Sequence, residues 1–416
     1  MIEIIPLNFK NDEYLTLLSD KETIETNNCY ITSISLLGKL LDEKTFPIKN
    51  RNIAIENILS FFSYIDCMIK RNDSTIVPIP RGVIDKYFTR DTYKKYMDYF
   101  NDNEILTKVP YEDGKFYEYS IINNKKVKGG RCMQYRMHTK YLQDDLCIAI
   151  FPIESNVKLE KDSEYNKKYE KTILKTQINY RDSILAEIKN YKLDILNNNI
   201  NALRFRINAI LNLNNKRFIK KGEKVDRIYH SFTNLSRISR KYLNIKGKTF
   251  YSLDIANCQP LLLCYYIISQ GGVIDDNYLK ACEDGLFYET LMDSEYVKTL
   301  NDEQYEEYRD EIKVSTYKCI YFDFKKGKPI VNKFAEMYPN TYYFLDNFYQ
   351  TITDITMASI LQNIEASIFN TIEPVKSNYY FTLFDAIYFN NWEDSISIEC
   401  EIKEKFGKLG ITPKLK

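Results

Sequence analysis

Histidine is almost missing from this chain, and glycine and proline are sparse. His138 and His230 are the two histidines in 416 residues, and the nine cysteines form no Cys-x-x-Cys pair. That pattern excludes a structural zinc site of the usual ligand spacing and fits a reduced, intracellular protein. With 13 Gly and 11 Pro, no segment reads as a flexible linker or a low-complexity tract. No run of about eighteen apolar residues occurs. The opening MIEIIPLNFKNDEY lacks the charged, apolar and small-residue regions of a signal peptide. The expectation is a cytoplasmic protein without a membrane partner, in the host's cytoplasm if the chain is viral. A net charge of +1 leaves no global basic field and excludes a histone-like binder, so nucleic-acid contacts would come from local clusters such as Lys216, Arg217, Lys220, Lys221 and Lys224. What is present in quantity is aromatic: 35 Tyr and 23 Phe in a chain that is 44% hydrophobic, enough for a large core shared among two or three domains.

The stretch IAIENILSFFSYIDCMI has helical apolar spacing, and PRGVIDKYF and TRDTYKKYMDYFNDNEI follow as shorter helices. LTKVPYEDGKFYEYSI and RCMQYRM then alternate like two strands around a glycine turn. Three helices and a hairpin predict a winged-helix-like module within residues 1–150, in which Thr89 caps a helix that presents Arg90, Tyr93, Lys94 and Lys95 to a DNA groove. A small α+β domain used for packing or partner contact has the same pattern. Residues 156–214 are charge-rich, lack Gly and Pro, and predict one or two long helices. A helical region over 151–224 and a mixed domain over 225–416 complete the expected division.

Two acids stand alone in apolar surroundings. Asp254 ends the β-prone FYSLD, and Asp385 lies within the strand-like YYFTLFDAIYF. Burying an ionised carboxylate is costly unless cations or hydrogen-bond donors replace the lost water. Asp254 alone reads equally well as the cap of the following helix. If both acids sit on adjacent strands of one sheet, the pair suits divalent metal. Between them, YRDEIKVSTYKCIYF carries Arg309, Lys313, Tyr317 and Tyr321 at intervals of four, which puts two cations and two rings on one helical stripe. The cations suit phosphates and the rings a base or sugar. An amphipathic helix with its tyrosines in the core and its charges at the rim gives the same spacing.

Together these segments resemble the polymerase domain of family A DNA polymerases. The resemblance implies that Asp254, with the carbonyl of Ile255, and Asp385 hold two Mg²⁺ ions, with Mn²⁺ as an alternative. It further implies that Arg309 and Lys313 bind the triphosphate, and that Tyr317 and Tyr321 lie beside the incoming nucleotide and the template base. RIYHSFTNLSRISRKYL is similar to the family's primer-groove segment, placing Arg227, Asn234 and Arg240 there, and LQNIEASIF places Gln362 at a primer-template glutamine. The likeness runs collinearly over about residues 225–416 and implies an α+β right-hand fold with an antiparallel palm sheet and helical fingers and thumb.

The chain also departs from the family. Phe384 stands where the family has His before the second Asp, and Phe322 stands where a Gly usually follows the second fingers aromatic. Gln259 occupies the position of a Glu that excludes the ribose 2′-hydroxyl, and no proofreading-exonuclease cluster of acids precedes the palm. The expectation is therefore a reduced DNA polymerase of a phage, plasmid or other mobile element, acting on primer-template and dNTPs. A primase or single-subunit RNA polymerase is the alternative within the enzymes. A DNA-binding replication initiator or regulator with an inactive palm is the alternative outside them.

Overall fold

The computed structural model describes residues 2–7, 27–42, 51–72, 74–116, 120–122, 125–127, 131–142, 145–154, 158–161, 169–193, 200–352 and 355–416. The chain is mixed α+β with small antiparallel sheets, and it divides into two compact units. The first comprises Met1–Leu159, Gln177–Arg217 and Asn234–Asn244, and the second comprises Glu160–Thr176, Phe218–Thr233 and Ile245–Lys416. None of the described helices is long and apolar enough to cross a membrane.

The first unit begins with β1 (Glu3–Leu7) and β2 (Asn27–Ser33). Ser33 ends β2 and caps α1 (Ile34–Leu41), its hydroxyl accepting from the Leu36 N–H at 3.0 Å. There follow α2 (Arg51–Asn72), β3 (Ile76–Pro78), α3 (Arg81–Tyr87), α4 (Arg90–Asp102), β4 (Leu106–Val109), β5 (Gln134–Met137) and β6 (Leu146–Glu154). One sheet has the order β1–β6–β2 and another the order β3–β5–β4. The run Leu146–Phe151 of β6 is buried throughout, as a central strand covered on both faces requires. The helices α2, α3 and α4 and the strands β4 and β5 match the sequence expectation. The strand β3 is an addition: at three residues it is too short to show a period.

The expected boundaries at 150 and 224 do not coincide with these units. The stretch 156–214 holds, among its described parts, β7 (Lys158–Lys161) as well as α5 (Tyr180–Leu193) and α6 (Ile200–Asn215), and the two helices belong to the N-terminal unit. The reason is a buried polar network. Arg204 of α6 lies 3.4 Å from Asp66 of α2 and donates to the Tyr141 carbonyl at 2.9 Å, while Asn208 accepts from Ser63 at 2.9 Å. Separating α6 from α2 would strand an ion pair whose two side chains are both nearly inaccessible.

The second unit is built on a three-stranded antiparallel sheet of β8 (Tyr251–Asp254), β9 (Tyr380–Leu383) and β10 (Ala386–Phe389), in the order β8–β10–β9. Three of its helices bear on the site: α7 (Cys258–Ser269), α8 (Asp302–Thr316) and α9 (Met357–Phe369). The core includes α7, apolar almost all round, and the inward face of α9. A helix buried on most sides has no polar stripe to keep, which explains the run LLLCYYII in α7.

Candidate active site

Asp254 is the last residue of β8 and pairs with Ala386 of β10. Asp385 immediately precedes Ala386, so the sheet brings the two acids to one end of adjacent strands. Asp385 is not inside a strand, as the sequence pattern suggested. Leu383 pairs with Ala386, so Phe384 and Asp385 form a two-residue hairpin turn. Such turns favour positive φ at their first central position because it matches the strand twist. Phe384 adopts φ 59°, which costs a bulky residue about 1–3 kcal/mol. Its ring is held by the Arg227 guanidinium at 4.5 Å and by the edge of Tyr229 at 6.0 Å. Asn257, three residues after Asp254, is also left-handed at φ 57°. Strained backbone therefore lies close to both acids.

The end of β8 is held on its other side by residues 414–416. Asp254 and Lys416 exchange backbone hydrogen bonds at 3.2 and 2.9 Å, and the Ala256 N–H donates to the Lys414 carbonyl at 2.8 Å. Ile255 faces Leu415 as the non-bonded pair of this ladder, so its own carbonyl is directed away from 414–416, toward the side of β10 and Asp385. Gly285, at φ 73°, lets another segment approach here: a Cβ on it would stand 2.9 Å from that of Ala256.

The electrostatics are those of crowded negative charge. Burial, Glu365 and Asp254 push the Asp385 carboxyl up to about 8, while its own backbone hydrogen bond and Lys313 pull the other way. Glu365 of α9 is only 1% exposed, and burial raises it, with Arg227, Gln259 and Asp254 as further influences. Two carboxylates and a backbone carbonyl are hard oxygen donors short of positive charge, which fits Mg²⁺. Among the described residues, no group of three or more His, Cys, Asp or Glu side chains is arranged to hold a metal ion. The candidate site is the pair of aspartates with the Ile255 carbonyl; both oxygens of Glu365 are taken by Arg227 and Gln259.

The expected cationic helix is α8, opened by a capping box in which the Asn301 side chain accepts from the Gln304 N–H at 2.9 Å and Gln304 accepts from the Asn301 N–H at 3.1 Å. After Thr316 the backbone widens into a π-turn over Tyr317–Phe322, which breaks the four-residue stripe. Lys313 is exposed, and its charge reaches Asp385. Arg309 is bound to Glu289 at 2.5 Å and lies over the Tyr288 ring at 5.7 Å. The Tyr317 hydroxyl accepts from Gln362 Nε2 at 2.6 Å, which joins two of the expected site residues. Tyr321 is 0% exposed, packed in the core with its hydroxyl 3.2 Å from that of Tyr278, and offers no surface to a nucleotide. For this residue the core placement, the other reading of the stripe, is what the structure has.

Arg227, expected along a primer, is engaged within the protein. Its Nε and Nη2 donate to the two oxygens of Glu365 at 2.8 and 2.7 Å, a bidentate pair. Gln259, on the first turn of α7, donates its amide nitrogen to the same Glu365 at 2.5 Å. Asn234 is exposed and Arg240 donates to the Leu235 and Ser236 carbonyls at 3.2 and 3.3 Å; both belong to the first unit, whereas Arg227 belongs to the second. Thr89 holds the N-cap position of α4, but its hydroxyl bonds that of Thr92 at 2.9 Å and makes no side-chain cap; the Thr92 N–H donates to the Thr89 carbonyl at 3.1 Å instead. Lys94 is exposed on α4, and the Arg90 side chain lies outside the described residues.

Three residues escape the sequence reading: Glu365, Glu289 and Asn257. Glu365 carries the same signal as Asp254, a lone acid among apolar neighbours, but in LQNIEASIF the family likeness selects Gln362 instead. Glu289 and Asn257 carry no such signal. Comparison with family models, curated proteins and solved structures finds no match.

Proposed function

We propose that this protein is a template-directed nucleotidyltransferase, a reduced DNA polymerase of the family A type, with a winged-helix-like DNA-binding module at its N-terminal end. The observation that carries the reading is the register that sets Asp254 and Asp385 at one end of adjacent strands, with the Ile255 carbonyl turned to their side and the Lys313 charge within reach. Asp254, Ile255 and Asp385 would hold two Mg²⁺ ions. Bound there, the ions supply a lowered pKa for a primer 3′-hydroxyl and neutralise the leaving pyrophosphate. Lys313 offers an exposed cation to the triphosphate. Arg309 joins it only by leaving Glu289. Tyr317 and Gln362 form one hydrogen-bonded unit beside the primer-template duplex. The N-terminal module is supported by the order α2–β3–α3–α4–β4–β5, with two short strands, Ser120–Ile122 and Lys125–Val127, inserted before β5, and by exposed Lys94 on α4.

DNA synthesis is preferred to RNA synthesis on the resemblance alone. A second reading, a DNA-binding initiator or regulator with an inactive palm, draws on Phe384 and on the engagement of Arg227 and Arg309 in ion pairs. Extension of a labelled primer-template with dNTPs or NTPs, with and without Mg²⁺, separates these readings. Mg²⁺-dependent extension is expected. Duplex binding without extension would favour the initiator.

A further inference from the structure

Glu365 is buried, lies beside the two aspartates, and belongs to neither the metal pair nor the cationic helix. Its two oxygens accept from Arg227 Nε at 2.8 Å, Arg227 Nη2 at 2.7 Å and Gln259 Nε2 at 2.5 Å. With both oxygens accepting from the Arg227 guanidinium, the carboxylate receives the nitrogen end of the Gln259 amide. The amide is planar, so its oxygen must turn elsewhere. That oxygen, Gln259 Oε1, is buried and has no hydrogen-bond partner among the described residues. The same is true of both amide atoms of Asn257, a residue 7% exposed and two positions earlier. Buried polar atoms left unpaired cost about 1–3 kcal/mol each, and such a cluster beside Asp254 is explained by a ligand that completes it.

We infer that Glu365 is a positioning residue for sugar selection: it fixes the Gln259 amide so that Oε1 faces the nucleotide as an acceptor for a sugar hydroxyl. The inference rests on the nucleotidyltransferase reading. Choice between ribose and deoxyribose then belongs to the Gln259–Glu365 pair, not to Gln259 alone. A glutamine at 365 can meet Gln259 in either amide orientation, so the acceptor is no longer fixed.

The test is single-nucleotide addition on one primed template by the full chain, with a dNTP and the matching NTP, for the wild type, Glu365→Gln and the exchange Gln259→Glu/Glu365→Gln. The exchange keeps one carboxylate and one amide in contact. Glu365→Gln is expected to change the dNTP-to-NTP ratio of kcat/KM by about tenfold or more, mainly through KM, and the exchange to return it to within about threefold of wild type. A ratio cancels the fraction of folded enzyme. Equal losses for both sugars at an unchanged ratio would overturn the inference, as would an exchange variant that melts normally yet leaves the ratio shifted. Failure of the wild type to extend with either sugar would instead overturn the polymerase reading. Equilibrium binding of dNTP and NTP in Ca²⁺ to the same three proteins then decides the pair: a shifted and restored affinity ratio supports it, and an unchanged ratio or no binding removes it.

Discussion

Each unit draws a carboxylate out of water, Asp66 buried and Asp385 half-buried, and surrounds it differently. In the N-terminal unit Asp66 meets Arg204 at 3.4 Å and Asn208 at 3.4 Å; burial raises its carboxyl, and these two partners oppose the rise. In the C-terminal unit Asp385 meets Glu365 and Asp254, which add to the effect of burial, and only one side-chain cation, Lys313, is among its main opposing influences. The first acid is faced by a cation and an amide that the fold supplies, and the second is faced mainly by its own sign. A buried carboxylate faced by a cation belongs to the architecture. One surrounded by its own sign is a candidate site.

Removing the acids of each kind should separate the two cases most sharply. Asp254→Asn or Asp385→Asn is expected to cut nucleotide addition by roughly a thousandfold or more while leaving duplex binding intact, read by primer extension beside a binding assay. Near wild-type synthesis by either variant would remove that residue from the metal site. The matching change in the other unit is Arg204→Ala, which leaves Asp66 buried and unpaired. It should cost about 3–5 kcal/mol of stability in denaturant titration, with specific activity of the folded fraction unchanged. Lys313→Ala comes next: about a hundredfold loss in kcat/KM for nucleotide with little change in template affinity. An early melting transition with normal specific activity would return α8 to a purely structural role.

The pH response of Asp385 has the sign of a raised acid. Asp385 is pushed up to about 8 in the folded chain against an ordinary 3.8, so between these values the folded protein holds a proton that the unfolded chain releases. Its contribution to stability is full below the ordinary value and is lost as pH rises through about 8. Asp385→Asn should therefore stabilise the metal-free protein at pH 8 by about 1–3 kcal/mol, less than the whole shift would give at about 1.4 kcal/mol per unit, because Asp254 and Glu365 share the repulsion. Thermal melts at pH 5 and pH 8, in chelator, check the sign. The smallest effect concerns the N-terminal module: reversing Arg90 and Lys94 to Glu should weaken duplex binding by the full chain about tenfold at low salt and flatten its salt dependence. Unchanged binding would leave the module a packing or partner domain.

Much of this was legible in the residues themselves. The period of IAIENILSFFSYIDCMI fixes a helix, YRDEIKV puts two cations on one face, and a lone acid after FYSL or in YYFTLFDAIYF announces a carboxylate with unusual surroundings, because these are properties of the local chain. The hairpin turn at Phe384 was hidden because an aromatic is a poor residue for positive φ, and its position there depends on Arg227 and Tyr229 from elsewhere in the chain. The burial of Tyr321 was hidden because a four-residue repeat does not say where a π-turn will rotate the stripe inward. Side-chain type and local period were determined by sequence alone. Which charge meets which was decided only by tertiary structure: Glu365 reaches Arg227 and Gln259 across 138 and 106 positions, and Coulomb energy depends on distance in space, for which separation along the chain is no guide.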